Sequence, residues 1–211
     1  LKPCSLQGPG LGMAVDVFDE EGQPIRGGIG HLVCKRPAPS MTKAFLNDPD
    51  RYIATYFSRW DDIWYHGDWA YVDDEGYWFL HGRSDDTVNV GGKRVGPAEF
   101  EGALIAHRAV SEACAFGVPH ELKGESVVCL ALLGPGFEPS EDLRQELMEA
   151  VIVKMGKPLK PEVIKFVAEL PKTRSAKIVR GSIKKVYLGE SPGDTSSIAN
   201  PAAFDAVKSA T

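Results

Sequence analysis

Cysteine is scarce: Cys4, Cys34, Cys114 and Cys129 are the only four in 211 residues, and no two are spaced as a CxxC pair. That argues against a zinc site and against a disulfide scaffold, and it suits a reducing, cytoplasmic compartment. Long apolar runs are also missing. The longest, Val127–Leu133, falls far short of the roughly 20 residues that a membrane-crossing helix needs. There is no Gly/Ser/Thr-rich phosphate-binding loop and no internal repeat. Position 1 is leucine rather than methionine, so the sequence is expected to be a fragment or a processed product with further chain upstream. What is present is ordinary for a globular protein: 43% hydrophobic and 25% charged residues exclude wholesale disorder. The length fits one to two domains.

The net charge of −5 is unevenly spread. Residues 1–86 carry 8 basic and 14 acidic side chains, whereas residues 87–211 carry 16 and 15. Between Glu169 and Glu190 stand Lys172, Arg174, Lys177, Arg180, Lys184 and Lys185 with no acidic residue among them, a cluster that favours an anionic partner. The overall negative charge and the lack of a groove-reading motif speak against nucleic acid.

The elements follow from pattern. Alternation over 13–18, a D-E-E-G-Q-P turn and a second run at 29–33 predict a hairpin. Asp48-Pro49 opens a short helix. Two aromatic-rich runs from Trp64 to Arg83 flank Asp73-Asp74-Glu75-Gly76 and predict a second hairpin. A third turns at Gly91-Gly92-Lys93. From there the pattern becomes mixed. A helix begins at Pro97 with Phe100, Leu104 and Ile105 as its apolar face. Strands are expected at 113–118, 126–133 and 163–167, with a helix capped by Ser140 running to about Met155 and ended by Pro158 and Pro161. A basic helix is expected over 178–186. The composition shift at Ser84-Asp85-Asp86 marks a boundary. The expected fold is α+β, with a β-rich region over 1–84, a mixed α/β domain over 85–190 and a loosely ordered tail over 191–211, in which a short helix over Ala202 to Val207 is the one element allowed.

Four motifs could carry chemistry: Tyr65-His66-Gly67-Asp68, Gly82-Arg83-Ser84-Asp85-Asp86, Gly91-Gly92-Lys93-Arg94 and Pro171 through Lys177. Each alone has a plain reading as a turn aspartate, a surface ion pair, a hairpin turn or a solvated lysine. In this order and spacing, together with Asp74-Glu75-Gly76-Tyr77 and the run G-R-S-D-D-T-V-N-V-G-G-K-R-V-G-P-A-E-F-E, they resemble the adenylate-forming acyl-CoA synthetases. Within that family the acetyl-CoA synthetase type is the most similar. The resemblance runs from about Gly12 to Gly189.

The resemblance implies an AMP-forming acid–thiol ligase using ATP, Mg2+ and coenzyme A on a short or medium-chain carboxylate, with acetate favoured. It implies a large N-terminal domain upstream, of which residues 1–84 would be the last β subdomain, and a small mobile C-terminal domain turning about Asp85. Asp68 would accept hydrogen bonds from the ribose hydroxyls, since a fixed carboxylate is a natural acceptor for a vicinal diol. Arg83 and Arg94 would contact the nucleotide and its phosphates. Lys177 would be the catalytic lysine of adenylation and part of the ATP/AMP site. Gly91 and Gly92 would face the thiol arm of coenzyme A. A metal ion would sit near Ile105, His107 and Val110. Two positions depart from the pattern: Ala176 stands where glycine usually precedes the lysine, and Ile152 stands where an arginine often meets the coenzyme A phosphate. The competing reading is a non-catalytic interaction module that keeps the fold. The retained Asp68, Arg83, Arg94 and Lys177 oppose it.

Overall fold

A computed structural model describes residues 2–211. The chain divides into a first unit ending at Asp85 and a second spanning Asp86–Thr211.

The first unit is built on an antiparallel meander, β1 (Val15–Phe18), β2 (Gly30–Cys34), β3 (Trp64–Val72) and β4 (Trp78–Arg83), in that spatial order. A helix, α1 (Pro49–Tyr56), interrupts it between β2 and β3. Asp48 caps α1 by accepting the Arg51 N–H, and proline at the first position fits because its missing N–H would be unsatisfied there anyway. At the β3–β4 turn, Asp73 Oδ1 accepts the N–H groups of Glu75 and Tyr77. The side chain thereby does the work that fixes the hairpin register. Val17, Ala70, Val72 and Trp78 form a small core on one face.

Asp16 on β1 is buried. Its carboxylate accepts the Val17 N–H at 2.9 Å, Arg26 Nη1 at 2.8 Å and Lys35 Nζ at 2.7 Å. Burial alone would raise this carboxyl; the Lys35 ammonium, the Val17 N–H and the Arg26 guanidinium outweigh it and hold the carboxyl below its usual 3.8. A folded pKa below the unfolded one contributes stability that is present above the unfolded value and lost as pH falls through the folded one. The first unit is therefore expected to weaken as pH drops below about 4. Asp16→Asn should flatten that acid limb and cost about 1–3 kcal/mol at neutral pH, where a charge-assisted acceptor is lost. All four tryptophans lie in this unit, at 60, 64, 69 and 78, so denaturant titrations followed by tryptophan fluorescence at several pH values read the effect.

The second unit is a five-stranded sheet with helices on both faces. Strands β5 (Val88–Val90) and β6 (Lys93–Val95) form a tight hairpin; β7 (Val110–His120) and β8 (Gly124–Leu133) form a long antiparallel pair; β9 (Val163–Val167) lies parallel to β8. Helix α2 (Pro97–Ile105) precedes β7, and α3 (Glu141–Met155) makes the crossover from β8 to β9. Helices α4 (Arg180–Tyr187) and α5 (Ala203–Lys208) close the chain. The alternation of β8 explains its unbroken apolar run. Val127, Cys129 and Ala131 pack with Phe100, Leu104, Leu147 and Val151 of α2 and α3. Val128 and Leu130 pack on the opposite face with Ile183, Val186, Phe204 and Val207 of α4 and α5. A strand covered on both faces needs no polar stripe.

Four details differ from the sequence expectations. Ile105 is 49% exposed; the buried residues of α2 are Pro97, Phe100, Ala103 and Leu104, and Ile105, the last residue of the helix, falls outside that covered stripe. Helix α3 stops at Gly156, whose φ of +89° breaks the ladder before Pro158 is reached. Helix α4 starts at Arg180 rather than 178, since Ile178 is committed to a bridge with Lys172 and the Val179 N–H to Pro171 O. The stretch expected to be loosely ordered is packed from Ile198 onward: Ile198, Phe204 and Val207 are buried, and Thr211 exchanges backbone hydrogen bonds with Phe166. Few, widely spaced apolar residues suffice there because each packs into the cluster with Val128, Leu130, Ile183 and Val186.

Candidate functional site

In the first unit the site is built on β3 and β4. Their register sets Asp68 directly opposite Arg83. Gly67 has φ +88°, and a Cβ there would stand 3.1 Å from Arg83 Nη2, so glycine is needed both for the backbone and for the guanidinium lying over it. Gly67 O accepts the Ser84 N–H at 2.9 Å and the Ser84 hydroxyl at 3.0 Å. Tyr65 hydrogen-bonds to the same hydroxyl. These contacts lock the strand ends, and with them the two charged side chains.

Asp68 Oδ2 lies 2.9 Å from His66 Nδ1, and Asp68 Oδ1 lies 4.0 Å from Arg83 Nε. Arg83 presents its fork to Asp85, Nε to Oδ1 at 2.9 Å and Nη2 to Oδ2 at 2.8 Å, the bidentate geometry that favours arginine over lysine. His66, Arg83 and Asp85 border a cavity of about 290 Å³ with Tyr56 and Trp64. A fixed acceptor beside a planar donor, open to solvent, can take up a diol or a phosphate oxygen. The sequence pointed to Asp68, Arg83 and Asp85, and the structure gathers all three. The sequence reading gave His66 no role, although its position two residues before Asp68 on a strand places both side chains on one face.

In the second unit Lys177 sits on a closed turn. The Thr173 N–H donates to Lys177 O at 2.8 Å, the Ala176 N–H to Thr173 O at 2.9 Å and the Lys177 N–H to Thr173 Oγ1 at 3.2 Å. Ala176 adopts φ +62°, the left-handed conformation that glycine takes freely and that strains an L side chain by about 1–2 kcal/mol. The departure from glycine therefore leaves the turn's shape intact but strained, a feature that clusters at functional segments. The base of the turn is braced by the terminal stretch. The Ala199 N–H donates to Lys172 O at 2.8 Å, and Asn200 Oδ1 accepts the Lys172 N–H at 2.8 Å. Lys177 itself is exposed, and among the described residues no hydrogen bond or ion pair engages its ammonium.

Gly91 and Gly92 form the β5–β6 turn with φ +57° and +84°. A Cβ at either would meet nothing within 4 Å among the described residues, so turn geometry rather than crowding within the unit demands glycine. Arg94 follows on β6, paired in register with Asn89 and exposed. At the end of α2, His107 Nδ1 accepts the Ala109 N–H at 3.3 Å, and Nε2 faces a Glu146 carboxylate oxygen at 3.5 Å. Among the described residues no three His, Cys, Asp or Glu side chains converge as a metal site. The expected site beside Ile105, His107 and Val110 would draw on backbone carbonyls and a single imidazole rather than on such a side-chain cluster, and no chemistry depends on it. Cys114 and Cys129 are disfavoured as thiolates: burial, then the charge of Glu101, pushes the Cys114 thiol up to about 12, and burial raises Cys129 as well.

Residues 99–177 match the family described as the AMP-binding enzyme C-terminal domain. Over all of its length the chain is 41% identical to an acetyl-coenzyme A synthetase of Pyrobaculum arsenaticum, of which it covers 32%. Among solved structures, an acetoacetyl-CoA synthetase from Streptomyces lividans superposes with a TM-score of 0.82 at 28% identity, over 97% of this chain and 31% of that one. ATP-bound MatB from Rhodopseudomonas palustris gives a TM-score of 0.72 at 26% identity, over 88% and 37%. The chain thus spans about a third of the length of the relatives it matches. Residues 99–177 thus carry an AMP-binding enzyme C-terminal domain, and the chain as a whole is similar to the C-terminal third of acetyl-coenzyme A synthetases.

Proposed function

We propose that the protein acts as an ATP-dependent acyl-CoA synthetase on a short or medium-chain carboxylate, acetate being the favoured substrate. In the first half-reaction a carboxylate oxygen attacks the α-phosphorus of ATP, the bond to pyrophosphate breaks and acyl-AMP forms. In the second the thiol of coenzyme A attacks the acyl carbon and AMP leaves. ATP would arrive as its Mg2+ complex. Asp68 would accept from the ribose hydroxyls, Arg83 and Arg94 would meet nucleotide oxygens, and Lys177 would hold carboxylate and α-phosphate together. In the same reading, residues 85–190 turn about Asp85, bringing first Lys177 and then Gly91 and Gly92 to the reacting centre. The cytoplasm is the compartment that suits this chemistry and the free thiols.

The observation that carries the reading is the exposed ammonium of Lys177 on a braced, hydrogen-bonded turn. An unengaged ammonium held out by its backbone is preorganised for an anion that arrives from elsewhere. The test is pyrophosphate release by the complete gene product in a screen of carboxylic acids, with acetate expected to lead. In that assay Asp68→Ala should raise the KM for ATP by roughly 10–100-fold, because one charge-assisted acceptor is worth about 1.5–3 kcal/mol. An unchanged KM would remove Asp68 from the nucleotide site.

A further inference from the structure

Arg180 uses every face of its guanidinium. Nε donates to Ala115 O on β7 at 2.9 Å, Nη2 to Glu101 Oε1 on α2 at 2.7 Å and Nη1 to Asp86 Oδ2 at 2.5 Å. Glu101 Oε1 also accepts the Ala115 N–H at 2.9 Å. The cluster is largely covered, with side-chain exposures of 23% for Arg180, 25% for Asp86 and 16% for Glu101. Burial works against the charge, yet Glu101, Cys114 and Asp86 hold the arginine's pKa above its ordinary value. A solvated surface pair would contribute little; a planar fork spread over two half-buried carboxylates and a main-chain carbonyl fixes direction as well as distance.

Its location gives that fixation a use. Asp86 is the first residue of the second unit, and Arg180 is the first residue of α4, three positions after Lys177. Lys172 at the base of the lysine turn pairs with Glu112 on β7 at 2.6 Å, which anchors the turn to the sheet; Arg180 is the side chain that links the segment after the turn to Asp86. We propose that Arg180 is a positioning residue for acyl-AMP formation, tying the Lys177 turn to Asp86 so that the ammonium and the point where the chain enters this unit move as one rigid body. The inference rests on the function proposed above. If the unit turns about the residue before Asp86, any slack between Asp86 and Lys177 becomes an error in where the ammonium arrives. A misplacement of about 1 Å can lower a rate by roughly 10²-fold.

The experiment uses the complete gene product with Arg180→Met, Arg180→Lys, Asp86→Asn and the double variant Arg180→Met/Asp86→Asn. Two rates are measured: acetate-dependent pyrophosphate release, and acetyl-CoA formation from supplied acetyl-AMP; melting temperatures are recorded alongside. Arg180→Met and Asp86→Asn are each expected to slow the first rate by roughly 10–100-fold and leave the second unchanged. Arg180→Lys should recover part of the loss, and the double variant should be no worse than the poorer single one, as members of one network behave. Asp86→Asn keeps the side-chain volume and decides the matter if Arg180→Met does not fold. Proportional loss of both rates with a lowered melting temperature would mark the cluster as merely structural and overturn the proposal; so would wild-type pyrophosphate release in Asp86→Asn and Arg180→Lys. A wild-type protein that releases no pyrophosphate with any acid overturns the functional reading itself, an outcome distinct from failure of the variants alone.

Discussion

Lys177→Ala is expected to lower acyl-AMP formation by the complete gene product by roughly 10²–10³-fold, about 3–4 kcal/mol of barrier, the scale on which a preorganised donor acts on developing charge. Thioester formation from supplied acyl-AMP should be unaffected, because the bond that needs the ammonium has by then been made. The side chain is exposed, and its turn is held by backbone hydrogen bonds and by Thr173 Oγ1. Removing the amine therefore leaves the fold in place, and a melting temperature equal to wild type is part of the expected result. Lys177→Arg keeps the charge but spreads it over a planar fork, so it should restore only a fraction of the rate. The decisive measurement is the pair of half-reactions run side by side with acetate and acetyl-AMP. An equal fall in both would end the assignment of Lys177 to adenylation.

Phe100→Ala should be the most damaging single truncation in the second unit. Phe100 is fully buried, and it packs within the cluster where α2 and α3 cover the sheet, among Leu104, Leu147, Val151 and Ile164. Removing a buried phenyl ring forfeits its transfer free energy and leaves a cavity that neighbours on two helices and the sheet cannot collapse into. The cost is about 3–5 kcal/mol. Ile105→Ala on the same helix is the control: with a half-exposed side chain it should fall within the about 0.5 kcal/mol typical of surface changes. Tryptophan fluorescence follows only the first unit, which holds all four indoles, so calorimetry or far-ultraviolet ellipticity is the appropriate readout. A loss below 1 kcal/mol for Phe100→Ala would contradict the packing described for that face.

How far each part of this molecule could be read in advance depends on the range of the interactions involved. The hairpins, the Asp48 and Ser140 caps and the Asp73 turn rest on contacts between residues a few positions apart, and their sequence signals are correspondingly sharp. Ile105 was misplaced because helical spacing says which residues share a stripe but not where the stripe stops being covered. In the last fourteen residues only a short helix near 202–207 was legible; how the stretch is anchored depends on partners far upstream, Lys172 for Ala199 and Asn200, and Phe166 for Thr211. Asp68 and Arg83 were visible as motif residues. That Asp68 stands directly opposite Arg83 emerges only when the strands are aligned in register.

The linear order of side chains alone determined the α+β class, the change of character at Ser84-Asp85-Asp86 and the residue types able to handle a nucleotide and an acid, because turn chemistry, periodicity and charge are local properties. Tertiary structure alone decided that Arg180 gathers Asp86 and Glu101 from 94 and 79 positions away, that the chain end braces the lysine turn and that Ala176 is held at positive φ. Those facts depend on which distant segments the folded sheet brings within hydrogen-bonding reach. No window of neighbouring residues contains that information.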